Sequence, residues 1–127
     1  MNIPNPYTLP VISFVGGSTQ ELLFHTFYYE NNERFDLTYC EANFAIVNYV
    51  NKYGMPVLTK KMDIYLDEDT TDQAPNTLRV VLNPSDTVAL NGKYVYQISI
   101  RDKSGRVEIP NQGIMLITNN IDKSYIQ

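Results

Sequence analysis

The side chains with the greatest chemical potential in this sequence are one histidine, one cysteine and a run of carboxylates. His25 is the only histidine, and it lies in an apolar stretch between Phe24 and Thr26. A catalytic base needs a nucleophile or a carboxylate partner within hydrogen-bond distance, and the sequence nominates none. We therefore predict a packed or interfacial histidine rather than a catalytic one.

The single cysteine, Cys40, excludes an internal disulfide and a cysteine-rich zinc site. A nucleophilic cysteine requires electropositive surroundings that stabilise its thiolate. Cys40 instead stands between Tyr39 and Glu41, and the glutamate carboxylate works against a thiolate. The pattern favours a buried structural cysteine.

One cluster of carboxylates could bind a cation. Its members are Asp63, Asp67, Glu68, Asp69 and Asp72. Calcium takes about six to eight oxygen ligands, but the segment lacks the turn glycine and the final glutamate of a helix-loop-helix calcium loop. We predict a solvated acidic loop over residues 67–75, with calcium binding as the less favoured alternative. No phosphate loop, nucleophile elbow or zinc spacing is present, so we predict a protein without catalysis, metal or cofactor.

Length and charge narrow the class of protein further. The 127 residues suit one domain. A net charge of −4 and a pI of about 4.8 argue against a nucleic-acid partner. No apolar run approaches the roughly 18 residues of a membrane-spanning helix, so we expect no membrane partner. The N-terminus shows no secretory signal, and synthesis in a reducing cytoplasm fits the single cysteine.

The elements that must position these residues are predicted to be strands. Val, Ile, Thr, Tyr and Phe, which favour strands, are abundant, while alanine is rare. Turn signals separate candidate strands at residues 11–15, 19–29, 42–50, 57–66, 78–82, 93–102, 106–109 and 114–118. This spacing predicts an all-β protein, either a β-sandwich or a barrel. We favour an immunoglobulin-like antiparallel β-sandwich of about seven to eight strands. The Cys-Trp-Cys pattern of antibody domains is absent.

Local patterns add three expectations. Along residues 93–102, strict alternation predicts one buried face, with the inward side chains Tyr94, Tyr96, Ile98 and Ile100. Along residues 19–29 both faces are apolar, which predicts a strand covered on both sides. Residues 83–86 are expected to form a turn or one helical turn capped by Ser85 or Asp86.

Four segments occur in an order typical of a known family. They are FDLT at residues 35–38, GMPVL at 54–58, LNPSDTVALNGKYVY at 82–96 and a stretch from Gly105 to Ile117 that ends in GIMLI. Over residues 19–121 the sequence resembles the N-terminal immunoglobulin-like domain of phage baseplate upper proteins and related modules of phage tails and capsids. Tyr39 stands where that family has glycine.

The resemblance implies a function. It suggests a non-enzymatic virion structural or accessory protein, an immunoglobulin-like docking subunit on the capsid, tail or baseplate. Its partners would be other virion proteins, with repeated copies or a homo-oligomer, and its location would be the virion after synthesis in the host cytoplasm. Family members are longer, with a coiled coil or fibre after this domain, so this chain is expected to lack that part.

The N-terminal ten residues predict an extended arm, because Pro4, Pro6 and Pro10 fix φ and remove amide donors. We therefore divide the chain into an arm at 1–10, a sandwich domain at 11–121 and a polar tail at 122–127. The arm is expected to pack against a partner subunit rather than its own domain, through Ile3, Tyr7 and Leu9.

Ten tyrosines exceed what the core of such a domain needs. Because tyrosine is enriched at protein interfaces, we predict a docking role for those near turns or on second strand faces, namely Tyr28, Tyr29, Tyr49, Tyr53 and Tyr125. The alternative is a carbohydrate-binding or adhesion module that stacks tyrosines on host-surface glycans. An exposed coplanar tyrosine pair beside the acidic loop would favour that alternative.

Overall fold

The computed structural model describes residues 7–25, 37–66, 75, 77–109 and 112–125. Its elements are β1 (Ile12–Val15), β2 (Gln20–His25), β3 (Glu41–Asn48), β4 (Leu58–Tyr65), β5 (Thr77–Leu82), α1 (Pro84–Thr87), β6 (Gly92–Arg101), β7 (Val107–Glu108) and β8 (Gln112–Thr118). The predicted all-β class is therefore confirmed. Within the described ranges, no helix is long and apolar enough to cross a membrane.

The strands form two layers that share β4. Hydrogen bonds connect them in the order β1-β8-β6-β3-β4-β5-β2, and β7 extends the hairpin of β6. The first half of β4 pairs with β3, where Leu58 lies opposite Ile46, and its last residues pair with β5, where Tyr65 lies opposite Thr77. The sheet thus folds over at β4, so that β2 and β5 face β6 and β8.

The hydrophobic core lies between these layers. The predicted inward side chains of β6 are buried, namely Tyr94, Tyr96, Ile98 and Ile100. The alternation is not strict, because Val95 on the opposite face is only 3% exposed. The Tyr96 ring lies 5.7 Å from the Phe44 ring of β3 and 5.9 Å from the Phe24 ring of β2. Since β2 belongs to the other layer, these aromatic contacts join the two layers at the centre of the molecule.

The connection between β5 and β6 is built around Tyr94. Its hydroxyl accepts from the Asn91 N–H (3.0 Å) and donates to the Asn91 carbonyl (3.1 Å). Gly92, with φ +116°, allows the chain to reverse there. A tyrosine whose hydroxyl is hydrogen-bonded to the backbone a few residues upstream is the tyrosine corner of immunoglobulin-like sandwiches. In those sandwiches the fifth strand lies between the second and the fourth, and the sixth lies between the third and the last, as in this sheet. The domain is therefore an immunoglobulin-like sandwich.

The pairing of β1 is the exception to the antiparallel pairing of this sandwich. β1 runs parallel to β8, with Ile12 opposite Met115, while the remaining described pairs are antiparallel. The turn after Val15 carries the chain from the layer of β8 to the layer of β2. The two strands at the ends of the sheet path, β1 and β2, therefore belong to different layers.

The sequence predicted that β2 is covered on both faces, but one of its faces is open. Among the described strands it lies at the end of the sheet path and pairs with β5, where Leu23 lies opposite Arg79. Phe24 faces the core, but Leu23 lies on the outer face and is exposed. A run of apolar residues cannot by itself distinguish a fully covered strand from an edge strand with one open face.

The cap of α1 also differs from the prediction. Asn83, rather than Ser85 or Asp86, is the N-cap residue, and its N–H donates to the Asp86 carboxylate (2.7 Å). Lys60 Nζ donates to the same carboxylate at 2.7 Å. Burial pushes the pKa of Asp86 upward, but the hydrogen bonds from Lys60 and Asn83 outweigh it and hold the pKa below its ordinary value. Asp86 thus fixes both the helical turn and its contact with β4.

Tyr39, just before β3, has a left-handed backbone conformation. Its φ is +61°, the one positive φ of a non-glycine residue in the described chain, and 78% of its surface is exposed. Bulky L-residues adopt this region at a cost of about 1–2 kcal/mol. Glycine would adopt this conformation without that strain.

Candidate docking surface

The connection between β3 and β4 is a loop with a well-defined hydrogen-bond pattern. Asn51 N–H donates to the Asn48 carbonyl (3.1 Å), and Gly54 N–H donates to the Asn51 carbonyl (3.0 Å). The Asn48 side chain accepts from Val50 N–H at 2.8 Å. The loop is therefore held in one shape by its own backbone, and binding a partner would cost it little conformational entropy.

This loop exposes three large apolar side chains. The exposed fractions are 92% for Val50, 102% for Tyr53 and 87% for Met55. Soluble monomers rarely expose a contiguous apolar patch unless it binds something. Tyrosine and methionine are also enriched at protein interfaces. The loop therefore has the composition of a contact surface.

A cluster of tyrosine rings and lysine ammonium groups lies beside the loop. The Tyr49 ring centroid is 4.2 Å from Lys52 Nζ and 3.9 Å from Lys93 Nζ. The Tyr7 ring lies 6.2 Å from the Tyr49 ring, tilted by 48°. Lys52 also donates to the Tyr7 hydroxyl at 2.9 Å. The two ammonium groups thus converge on one ring, which stabilises both by cation–π attraction.

The cluster carries positive charge without a compensating carboxylate. Neither Lys52 nor Lys93 has a carboxylate partner within the described ranges. The hydrogen bond to Tyr7 raises the pKa of Lys52 above its ordinary value, and the Tyr53 hydroxyl is close enough to raise it slightly further. No acidic residue occurs between Glu41 and Asp63.

We call this surface the loop patch. It consists of Tyr49, Val50, Lys52, Tyr53, Met55 and Lys93. The charge of the loop patch is therefore purely cationic, although the whole chain has a net charge of −4. Exposed apolar groups beside two ammonium groups suit a partner that presents apolar and acidic side chains together.

The described part of the predicted arm lies on its own domain. Leu9 N–H donates to the Gln112 carbonyl of β8 (3.1 Å), and the Leu9 side chain packs against the core. The Tyr96 hydroxyl donates to the Pro10 carbonyl. Since Tyr7 contacts Tyr49 at the end of β3, this segment bends back across the sheet.

The expectation that the arm packs against a partner rather than its own domain is therefore wrong for Tyr7 and Leu9. Prolines stiffen a chain but do not choose its direction, and the bend at Leu9 has no signal in the sequence. Ile3, the third predicted contact of the arm, lies outside the described residues.

The other predicted docking tyrosines are separated by the structure. Tyr49 and Tyr53 both belong to the loop patch, and the Tyr7 ring lies 6.2 Å from the Tyr49 ring. Tyr125 is exposed on the C-terminal segment. Tyr28 and Tyr29 lie outside the described residues.

The residues with catalytic or metal-binding potential do not form a shared site in the described chain. His25 ends β2, where its backbone pairs with Thr77. Cys40 packs against the core but is only half-buried, whereas the sequence predicted a buried cysteine. Asp63 lies on the outer face of β4, 3.3 Å from the Arg79 guanidinium. The other carboxylates of the predicted acidic loop, at residues 67–72, lie outside the described residues.

Sequence reasoning missed the residues that give the loop patch its character, namely Val50, Lys52, Met55 and Lys93. A usable signal was present, because an acidic chain contains a stretch of 21 residues, from 42 to 62, without a carboxylate. The exposure of Val50 and Met55 had no such signal, since each resembles an ordinary core residue in a strand-rich sequence.

The sequence matches no protein-family model and no curated protein. Among solved structures, the chain is similar to AggA, the major subunit of aggregative adherence fimbriae type I from Escherichia coli. The TM-score is 0.36 and the identity is 14%, with 86% of this chain and 90% of the fimbrial chain covered. A likeness at this level assigns no function.

Proposed function

We propose that this chain is a non-catalytic, immunoglobulin-like structural subunit of a bacteriophage particle, docked on the capsid, tail or baseplate. The observation that carries the docking role is the loop patch, where Val50, Tyr53 and Met55 are almost fully exposed on a loop of fixed shape. The loop patch holds no carboxylate or imidazole that could act as a general base, which suits binding rather than catalysis.

The phage assignment is supported by the resemblance to baseplate upper protein modules. Its longest motif, residues 82–96, forms α1 and the tyrosine corner, and its members Asp86, Gly92 and Tyr94 each have a defined structural role. These roles support the immunoglobulin-like part of the proposal. The choice of a virion as the location depends on the sequence resemblance itself.

A carbohydrate-binding role receives less support from the geometry. Sugar stacking would require open tyrosine faces, but the Tyr49 ring already has two ammonium groups within 4.2 Å of its centroid. The Tyr7 and Tyr49 rings are tilted by 48°, so they do not form a coplanar platform. Binding a sugar there would first require Lys52 or Lys93 to move.

The proposal is tested by the composition of purified particles. Particles purified on a density gradient from the phage that encodes the chain should contain it in a fixed ratio to the major capsid protein, as measured by quantitative mass spectrometry. A version of the genome with an early stop codon in this gene should lack the protein and provides the control. Particles of normal composition that do not contain the chain would contradict the proposal.

A further inference from the structure

We propose that the loop patch binds a second copy of this chain, on the outer face of β2, β5 and β4. This inference builds on the proposed docking role and names its partner. The contact would join two different surfaces, so that each copy offers the loop patch to one neighbour and the other face to the next.

The charges of the loop patch complement those found elsewhere on the same chain. The loop patch contributes two ammonium groups, and the stretch from Ala42 to Met62 contains no carboxylate. The 14 acidic residues of the chain therefore lie elsewhere, and the net charge is −4. Two copies of net charge −4 repel each other as wholes, so the attraction is local, between the two ammonium groups of one copy and a carboxylate-rich surface of the other.

The outer face of β2, β5 and β4 presents the matching chemistry. Arg79 of β5 lies between two carboxylates, 3.3 Å from Glu21 of β2 and 3.3 Å from Asp63 of β4. Two carboxylates share one guanidinium, so the group has an excess of negative charge. Leu23 and Tyr65 are exposed on the same face and add apolar area. We call these five residues the acidic face.

Lys52 and Lys93 can each be approached by a carboxylate without unfolding the patch. Both Nζ atoms lie within 4.2 Å of the Tyr49 ring centroid, so the two nitrogens are no farther apart than twice that distance. Since Lys52 and Lys93 are exposed, an incoming Asp63 or Glu21 could reach an ammonium group, while Tyr53 and Met55 would meet Leu23 and Tyr65. Exposed carboxylates that retain Arg79 as a partner can still accept a further hydrogen bond.

The arrangement has a consequence for symmetry. The loop patch is formed by the β3–β4 loop and Lys93 at the start of β6, whereas the acidic face lies on β2, β5 and the end of β4. Since the two surfaces differ, the contact is heterologous, and successive copies can add to form a ring or a filament. This would supply repeated copies of the chain to a larger assembly.

The test uses sedimentation of the full-length chain at increasing concentration. The wild type should associate, and 1 M salt should weaken the association. Lys52→Glu should raise the dissociation constant by on the order of tenfold or more, because it reverses a charge in the contact. Asp63→Lys should do the same from the other side. Matched controls are Lys103→Glu, on the β6–β7 turn, and Asp122→Lys, on the C-terminal segment, and both should leave association unchanged.

Mixing the two interface variants distinguishes this geometry from others. The Asp63→Lys chain keeps an intact loop patch and the Lys52→Glu chain keeps an intact acidic face, so an equimolar mixture should form heterodimers and nothing larger. A monomeric wild type, controls as defective as the interface variants, or a mixture that stays monomeric would each overturn the inference. A chain that is present in particles yet monomeric alone would overturn it while leaving the proposed function standing.

Discussion

Two pairs of tyrosines in this domain show how one residue type serves opposite purposes. Tyr94 and Tyr96 are buried on β6, and each hydroxyl is satisfied by backbone atoms, of Asn91 and Pro10 respectively. Tyr49 and Tyr53 belong to the loop patch, where Tyr49 lies beside lysine ammonium groups and Tyr53 is fully exposed.

The difference between the pairs explains the excess of tyrosine in the sequence. The buried pair stabilises the fold, since large rings fill the core and their hydroxyl groups leave no polar atom unsatisfied. Tyr53 adds little to folding, because it buries almost no area, whereas Tyr49 is half-buried beside Tyr7 and the two lysines. We therefore expect substitutions of the two pairs to separate stability from binding, and the following predictions test that separation.

The largest effect should come from Tyr96→Ala. The side chain is 0% exposed and its ring contacts Phe44 and Phe24 across the core. Truncation of such a ring typically costs about 3–5 kcal/mol of unfolding free energy. Urea denaturation should show this loss, whereas Tyr53→Ala, the matched control, should change stability by less than about 0.5 kcal/mol. An equal loss of stability from Tyr96→Ala and Tyr53→Ala would contradict the distinction between a stabilising buried tyrosine and an exposed docking tyrosine.

The buried pair should also make the domain sensitive to alkaline pH. Burial raises the pKa of Tyr96 to about 12, whereas an unfolded tyrosine titrates near 10. Between these values the unfolded chain releases the proton first, so stability is complete below about pH 10 and falls as pH rises toward 12. The loss should be on the order of 2 kcal/mol.

Unfolding measured across this pH range for the wild type and Tyr96→Phe tests the assignment. The variant lacks the ionisable hydroxyl, so its stability should decline less steeply. Parallel declines in the two proteins would show that other groups cause the alkaline sensitivity.

Removal of the Tyr94 hydroxyl, which forms the tyrosine corner, should lower stability less than Tyr96→Ala does. Tyr94→Phe eliminates both hydrogen bonds to Asn91 and leaves a partly buried N–H without its acceptor. The expected cost is about 1–3 kcal/mol, visible as a lower melting temperature. Tyr125→Phe, which alters an exposed hydroxyl, serves as the control. A Tyr94→Phe protein as stable as the wild type would mean that the corner is not a stabilising feature here.

The smallest expected effect is a gain in stability. Tyr39 has φ +61°, where glycine is free of strain. Tyr39→Gly should therefore raise the unfolding free energy by up to about 1 kcal/mol, after the greater backbone entropy of glycine in the unfolded chain is subtracted. Tyr39→Ala keeps the Cβ atom and should give no such gain. A higher melting temperature for the alanine variant than for the glycine variant would contradict this explanation.

The sequence was most informative for features that depend on neighbouring residues. The period of two along β6 identified its core-facing side chains, and the spacing of short strands between turn signals indicated a β-sandwich. These patterns depend on neighbouring residues and on one conformational rule each, so they can be read directly from the chain.

The sequence was least informative where distant segments meet. The parallel pairing of β1 with β8, the exposed side of Leu23 and the return of Tyr7 to Tyr49 each depend on where the chain travels after a turn. The convergence of Lys52 and Lys93 joins a loop after β3 to the start of β6. Such contacts between segments about 40 residues apart follow from topology rather than from spacing.

The most direct test of the loop patch as a docking surface is oxidative footprinting of the chain in assembled particles and in isolation. Hydroxyl radicals should modify Tyr53 and Met55 readily in the isolated monomer, since both side chains are exposed. In purified particles both residues should be protected several-fold, while Tyr39, which is exposed away from the loop patch, provides the internal reference. Tyr53 and Met55 that are modified equally in both states would show that the loop patch is not the docking surface.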